Sequence, residues 1–410
     1  MTATNTLNID FVRQQFPAFN EPSLKGQAFF ENAGGSYACA QVVGRLHDFY
    51  TRLKVQPHHR YPVSQEAGKE MDSSYPAFAA YLGVQPDEIY FGPSTTQNTY
   101  VLAQAFRDYL KAGDEIIVTN QDHEANSGAW RKLADHGVNI KEWQVEAEGR
   151  LRLEALQALL SKKTKIVAFP HCSNIVGEIN PVREIAALVH EVGAVAVVDG
   201  VSYAGHGFPN VAELGADIYL FSTYKTYGPH QGVMIVREAT AQKLTNQGHY
   251  FNEGNKAKRL TPAGPDHAQI AAARGVTDYF GAVYQHHYGE DAEVQVKARA
   301  VHDLFRKAEL ARLEPLLEYL NAHPKVRIVG PKTLENRAPT VSIVAEGHTS
   351  SELVEALAER GVMCAYGHFY AARLLDALGI GGDGVLRLSF VHYTSEDDVA
   401  QLIGALKEVI

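Results

Sequence analysis

The stretch Ala194-Val-Ala-Val-Val-Asp-Gly200, followed by Ile218-Tyr-Leu-Phe-Ser-Thr-Tyr-Lys-Thr-Tyr-Gly-Pro229, decides the architecture. Each half opens on a short apolar run without polar alternation and stops abruptly on polar residues. Runs of that composition suit strands buried on both faces. Asp114–Thr119, Thr164–Phe169 and Gly232–Val236 repeat the pattern, and Asp87–Phe91 reads as a further short strand. Helical stretches at Gln97–Leu110, Leu153–Leu160 and Pro181–Val192 lie between several of them. Alternating strand and helix predicts an α/β domain, with a mainly parallel sheet between helices.

Toward the N-terminus, residues 64–83 read as one long helix and Ile9–Gln15 as a short one. Past residue 290 the texture changes. A long charged helix over Asp291–Ala322 precedes the runs Val326–Val329, Thr340–Val344, Val362–Cys364 and Val385–Ser389. Helices are expected at Ser350–Arg360 and Ser395–Val409. This is the pattern of a smaller α+β layer. The expected division is a large domain over 21–290 and a small domain from 291–410, joined by 1–20. A chain of 410 residues suits two domains.

Composition narrows the function classes. The chain is 45% hydrophobic and 21% charged, with a net charge of -9 and interspersed signs. A nucleic-acid binder needs a basic stripe, and none is present, so a small-molecule substrate is expected. The three cysteines, Cys39, Cys172 and Cys364, are too few and too scattered for a disulfide framework or a metal site. Met1–Phe16 lacks the pattern of a signal peptide, and no apolar run approaches the roughly 20 residues that span a bilayer. A cytoplasmic protein without a membrane partner is the expectation.

In an open parallel sheet, ligands sit beyond the C-terminal strand ends. The residues there are Ser94-Thr-Thr96, His123, Asn174, Asp199 and Ser222-Thr-Tyr-Lys225. Lys225 alone reads first as a solvated lysine, as most lysines at a strand end are. If desolvated by Phe221, Tyr224 and Tyr227, it becomes a nucleophilic amine able to form a Schiff base. Asp199 closes an apolar strand, either as a cap or as counter-ion to a cationic ring nitrogen. Ser94, Thr95 and Thr96 precede a helix, as an N-cap or as an anion site, to which Ser222 could add a contact. His123 is either a surface histidine or a catalytic one that stacks on a cofactor ring and exchanges protons. Arg387, within Leu386-Arg-Leu-Ser389, has a structural ion pair or a substrate carboxylate as its partner.

Taken together, these motifs resemble the class V aminotransferase group of fold-type I pyridoxal phosphate (PLP) enzymes, and within it the cysteine desulfurase-like proteins. The similarity runs from Phe29-Phe-Glu-Asn-Ala-Gly34 to the last helix, and is most specific at Val197-Val-Asp-Gly200 and Ser222–Pro229. It implies PLP on Lys225, Asp199 at the pyridinium nitrogen, His123 on the ring, and Thr95, Thr96 and Ser222 at the phosphate. It implies Asn174, within His171-Cys-Ser-Asn174, near substrate and cofactor, and Asn32 and Arg387 at the substrate. It also implies a homodimer with active sites at the subunit interface, His267 of Gly264-Pro-Asp-His267 reaching the other subunit's phosphate.

The sequence departs from the desulfurase pattern at three places. Tyr224 stands where a histidine commonly precedes the lysine. Ser202 stands where a glutamine bonds the cofactor's phenolic oxygen. Gly367-His-Phe-Tyr-Ala371 places Tyr370 where one branch carries its persulfide cysteine. Cys364 reads as a buried hydrophobe, and Cys172 precedes Ser173-Asn174 at the expected site. The expected reaction is C–S cleavage of cysteine or a cysteine conjugate, by β-elimination, with Tyr370 or Tyr366 as proton donor. Transamination or epimerisation on Lys225 is the alternative, and a PLP-binding partner without turnover is the alternative of another class. A doubly wound nucleotide binder lacks its motif: there is no GxGxxG after a first strand and no GxxxxGK[ST].

Overall fold

The structure is a computed structural model that describes residues 6–410. Its thirteen strands are β1 (Ala28–Phe29), β2 (Ile89–Gly92), β3 (Glu115–Thr119), β4 (Asn139–Trp143), β5 (Thr164–Pro170), β6 (Val195–Asp199), β7 (Ile218–Ser222), β8 (Gly232–Val236), β9 (Val326–Val329), β10 (Thr340–Ala345), β11 (Val362–Met363), β12 (Ala365–Gly367) and β13 (Val385–Ser389). The large sheet has seven strands in the order β2-β8-β7-β6-β5-β3-β4. Only β8 runs against its neighbours; the remaining pairs are parallel. Every residue of β3, β6, β7 and β8 is buried, as expected of strands covered on both faces. The C-terminal ends of β2, β3, β5, β6 and β7 therefore face the same side.

Three elements differ from expectation. β4 is an additional strand. Its sequence Asn139-Ile-Lys-Glu-Trp143 keeps only Trp143 buried because it lies at the sheet's edge, and Lys141 pairs with Glu115 of β3 at 2.8 Å. The helix expected over 64–83 is two, Pro62–Asp72 and Ser74–Leu82. Pro76 lacks an N–H and tolerates only a first turn, so a new helix starts just before it. A 22-residue helix, His267–Tyr288, follows the 264–267 loop. Thirteen of its residues are buried, and burial on nearly all sides erases the 3.6-residue period. Gly275 admits the crossing of helix Ala40–Arg52, since a Cβ there would meet Val42 backbone N.

The small sheet runs β12-β13-β10-β9, all antiparallel. β1 pairs with β11, and Glu31 bridges Ser389 of β13. The chain just after residue 27 thus lies against the C-terminal layer. Helix Val294–Ala322 joins the two layers. Val301, Leu304 and Phe305 enter the large core, and Leu313, Leu316 and Leu320 enter the small one. Among the described residues no helix is long and apolar enough to cross a membrane.

Candidate active site

A cleft opens at the C-terminal edge of the large sheet, lined by Ser94, Thr95, Thr96, His123, Asn174, Asp199, Ser202, Ser222 and Lys225. These expected residues come from five different strand ends. Each strand stops where its apolar run stops, so the polar residue after it is delivered to one edge. Asn32 lies in an adjoining hollow that also includes Ser202 and Lys225.

Lys225 sits in a single 3₁₀ turn after β7. Among the described residues its ammonium has no hydrogen-bond or ion-pair partner; the Tyr224 ring lies 5.8 Å away. Burial, then the Arg387 charge, bring its pKa down to about 8, against the opposing pull of Asp199. Roughly a tenth of the amine is then neutral at pH 7, where an ordinary lysine has under about a thousandth. Asp199 Oδ1 accepts the Val201 N–H at 2.8 Å. No cation pairs with it among the described residues, and burial raises its pKa to about 6. Asn174 is buried with Oδ1 unpartnered among the described residues, while its Nδ2 donates to Phe369 O at 2.9 Å. A buried carboxylate without a cation, a buried amide oxygen without a donor and an unpaired amine are costly unless a ligand completes them.

The opposite end of the cleft is built for an anion. Ser94 caps helix Thr95–Phe106 by accepting the Gln97 N–H at 3.2 Å. Thr95 Oγ1 meets Ser222 Oγ at 2.8 Å, and Thr96 is exposed on the first turn. Hydroxyls and free N–H groups at the start of a 12-residue helix favour phosphate. His123 Nδ1 accepts the Ala125 N–H at 3.0 Å, so the proton of the neutral ring resides on Nε2. Burial, helped by the Lys225 and Arg387 charges, lowers its pKa to about 3. The donor set thus fits a group with an aldehyde, a cationic ring nitrogen and a phosphate.

Arg387 is buried and already occupied. Its Nη2 is 2.7 Å from Glu31 Oε1, Nη1 donates to Asn174 O at 3.3 Å, and the guanidinium lies 3.6 Å over the Phe369 ring. Among the described residues Nε has no partner. The expected free carboxylate receptor is therefore paired within the protein in this state. Asn32 Nδ2 donates to Ser389 O at 3.4 Å, and its Oδ1 accepts from Tyr393.

Tyr370 is 68% exposed and holds no wall of the cleft, though its ring centroid is 5.1 Å from that of His123. It is tethered there because its carbonyl accepts the Glu124 N–H at 2.8 Å. His267 begins helix His267–Tyr288 and does not line its own chain's cleft. Cys172 does line it, at 2% exposure, and burial pushes its thiol up to about 12. Cys364 lies between β11 and β12 rather than within a strand; burial pushes it, too, to about 12. Glu31 and Phe369 were not anticipated. Glu31 abuts Asn32 in sequence, and an acidic residue beside an expected substrate residue was the available signal. Phe369 had none.

The aminotransferase class-V model matches residues 28–402, and the chain belongs to this family of PLP-dependent enzymes. It is 37% identical over 423 residues to the aminotransferase-like protein FGM3 of Gibberella zeae, covering all of both chains. It is 28% identical over 411 residues to a cysteine desulfurase of Serratia proteamaculans, covering 98% of each. The solved apo cysteine desulfurase of Thermococcus onnurineus superposes with a TM-score of 0.86 at 24% identity, over 100% of this chain and 99% of that one. The chain is thus a cysteine desulfurase-like, fold-type I PLP enzyme that processes amino acids.

Proposed function

We propose that this enzyme breaks the C–S bond of cysteine or a cysteine conjugate by β-elimination, without forming an enzyme persulfide. The observation that carries this reading is the state of the cysteines. All three thiols are pushed up to about 12 by burial, whereas sulfur capture requires a thiolate. Tyr370 stands beside His123 instead.

Bound in the cleft, PLP supplies an electron sink for the pair left at the substrate's α-carbon. Lys225 would hold the cofactor covalently until the substrate's amine replaces it, and its freed amine would then take the α-proton. Asp199 keeps the ring nitrogen protonated, and that cation relieves the cost of the buried carboxylate. Ser94, Thr95, Thr96 and Ser222 hold the phosphate. His123, a neutral imidazole, would stack on the ring, and Asn174 and Ser202 would hold its phenolic oxygen. Arg387 and Asn32 take the substrate carboxylate. The Tyr370 hydroxyl protonates the sulfur that leaves with the bonding pair, and the released enamine hydrolyses to pyruvate and ammonia. In a homodimer, His267 reaches the phosphate of the partner's cleft.

The test is product analysis of the PLP-loaded protein incubated with cysteine and S-alkyl cysteines. Pyruvate and ammonia in equal amounts are expected. Alanine with protein-bound persulfide would overturn the reading in favour of desulfuration. The aminotransferase-like description of the 37% identical relative favours a second reading, transamination, which predicts exchange with a keto acid and no sulfide.

A further inference from the structure

Arg387 presents a fork that no substrate can use as the chain stands. A carboxylate binds guanidinium in a bidentate manner through Nη2 together with Nη1 or Nε. Nη2 is common to both arrangements, and Glu31 Oε1 holds it at 2.7 Å. Nη1 is shared with Asn174 O, and Nε is buried and, among the described residues, unpartnered. Glu31 uses one of the two available donors, so it occupies the site without filling it.

A second feature shows that room has been made for this side chain. Gly34 does not adopt a left-handed backbone, so conformation does not demand glycine there. A Cβ at Gly34 would overlap Glu31 Oε2, the nearest atom to it. The sequence Glu31-Asn-Ala-Gly34 therefore combines a carboxylate with the gap that lets it lie against Arg387. Glu31 keeps about a quarter of its side chain exposed, at 24%, whereas Arg387 keeps 2%. The glutamate has solvent to swing into; the arginine has none.

We propose that Glu31 is an internal stand-in for the substrate's carboxylate: it holds Arg387 in the free enzyme and must be displaced when an amino acid binds. This rests on the reading that Arg387 receives that carboxylate. Two carboxylates on one buried guanidinium repel each other, and the incoming one wins only by taking the bidentate place Glu31 leaves half used. Selectivity follows. A carboxylate that forms both hydrogen bonds displaces Glu31, and an amine lacking a carboxylate leaves it in place.

The test is a titration of the PLP-loaded protein, followed by visible absorbance, with L-alanine and with ethylamine. Glu31→Gln keeps a hydrogen-bond acceptor but removes the charge, and is expected to tighten L-alanine binding by about tenfold while leaving ethylamine unchanged. Gly34→Ala, which pushes Glu31 away without altering charge, is expected to move L-alanine binding in the same direction and serves if Glu31→Gln fails to fold. In the cofactor-free protein, acetate should raise the thermal midpoint of Glu31→Gln by more than that of the wild type. Unchanged or weaker L-alanine binding in both variants would overturn the proposal and make Glu31 a support for Arg387. Arg387→Lys reports separately on the underlying reading: if it leaves L-alanine binding unchanged, the arginine is not the carboxylate receptor.

Discussion

The two walls of the cleft are built differently. The floor, formed by the ends of β2, β6 and β7, is made of residues that end a buried strand or follow it within three positions. Thr95, Asp199, Ser222 and Lys225 inherit their placement from the sheet: Asp199 is met two positions on by the Val201 N–H, and Thr95 meets Ser222 because their strand ends share one sheet edge. The wall opposite is assembled at long range. Arg387 of β13 meets Glu31 across 356 positions, and Asn174 meets Phe369 across 195. Its loop carries Phe369 and Tyr370 in the left-handed region, at φ 46° and 58°. Such backbone costs of order 1–3 kcal/mol per residue and persists only where surrounding contacts impose it. The floor holds charges that lack partners, and the wall holds a charge whose partner is already present. One is completed by a cofactor; the other must exchange one carboxylate for another.

The comparison can be broken most severely at the floor. Lys225→Ala should abolish the visible absorbance of the PLP-loaded protein and lower turnover by at least about a thousandfold. Retained absorbance with normal turnover would remove Lys225 from the chemistry.

Asp199→Asn separates cost from use. Burial lifts the Asp199 pKa from 3.8 to about 6, roughly two units or about 3 kcal/mol. The folded value lies above the unfolded one, so the ionised carboxylate destabilises the cofactor-free fold. That cost is full above pH 6 and vanishes as pH falls toward 4. Asp199→Asn should therefore stabilise the cofactor-free protein against urea at pH 7.5 and much less at pH 4.5, while turnover falls by about a hundredfold or more. Equal urea midpoints at pH 7.5 would mean that the carboxylate is already compensated.

Beside the cleft, next to His123, Tyr370→Phe should leave the absorbance intact and slow pyruvate release by about ten- to a hundredfold. An unchanged rate would assign the leaving-sulfur proton to another group, with Tyr366, 46% exposed on β12, next in line. The smallest effect is expected at the thiols. Cys172→Ser and Cys364→Ser should each change pyruvate formation by less than about twofold. A loss of sulfide release in either variant would restore a persulfide step.

Much of this was legible before any coordinates. Runs such as Val195–Val198 and Ile218–Phe221 announce doubly covered strands, because no polar residue can alternate into a strand with two buried faces. The residues ending those runs then fall at one edge of a parallel sheet, which is why Ser94, Thr95, Asp199, Ser222 and Lys225 could be picked out one by one. The edge strand β4 escaped the same rule because its outer side is free to be polar. Helix His267–Tyr288 escaped because burial all round leaves no period to detect.

The state of Arg387 was out of reach for a different reason. Its sequence neighbourhood says that it is buried and must have a partner, but two chemically equivalent carboxylates could satisfy it, one from the substrate and one from the chain. Composition cannot distinguish them. Only the pairing of β13 with the chain around Glu31, across nearly the whole length of the protein, places that glutamate against the guanidinium and turns a recognition site into one that must first be vacated.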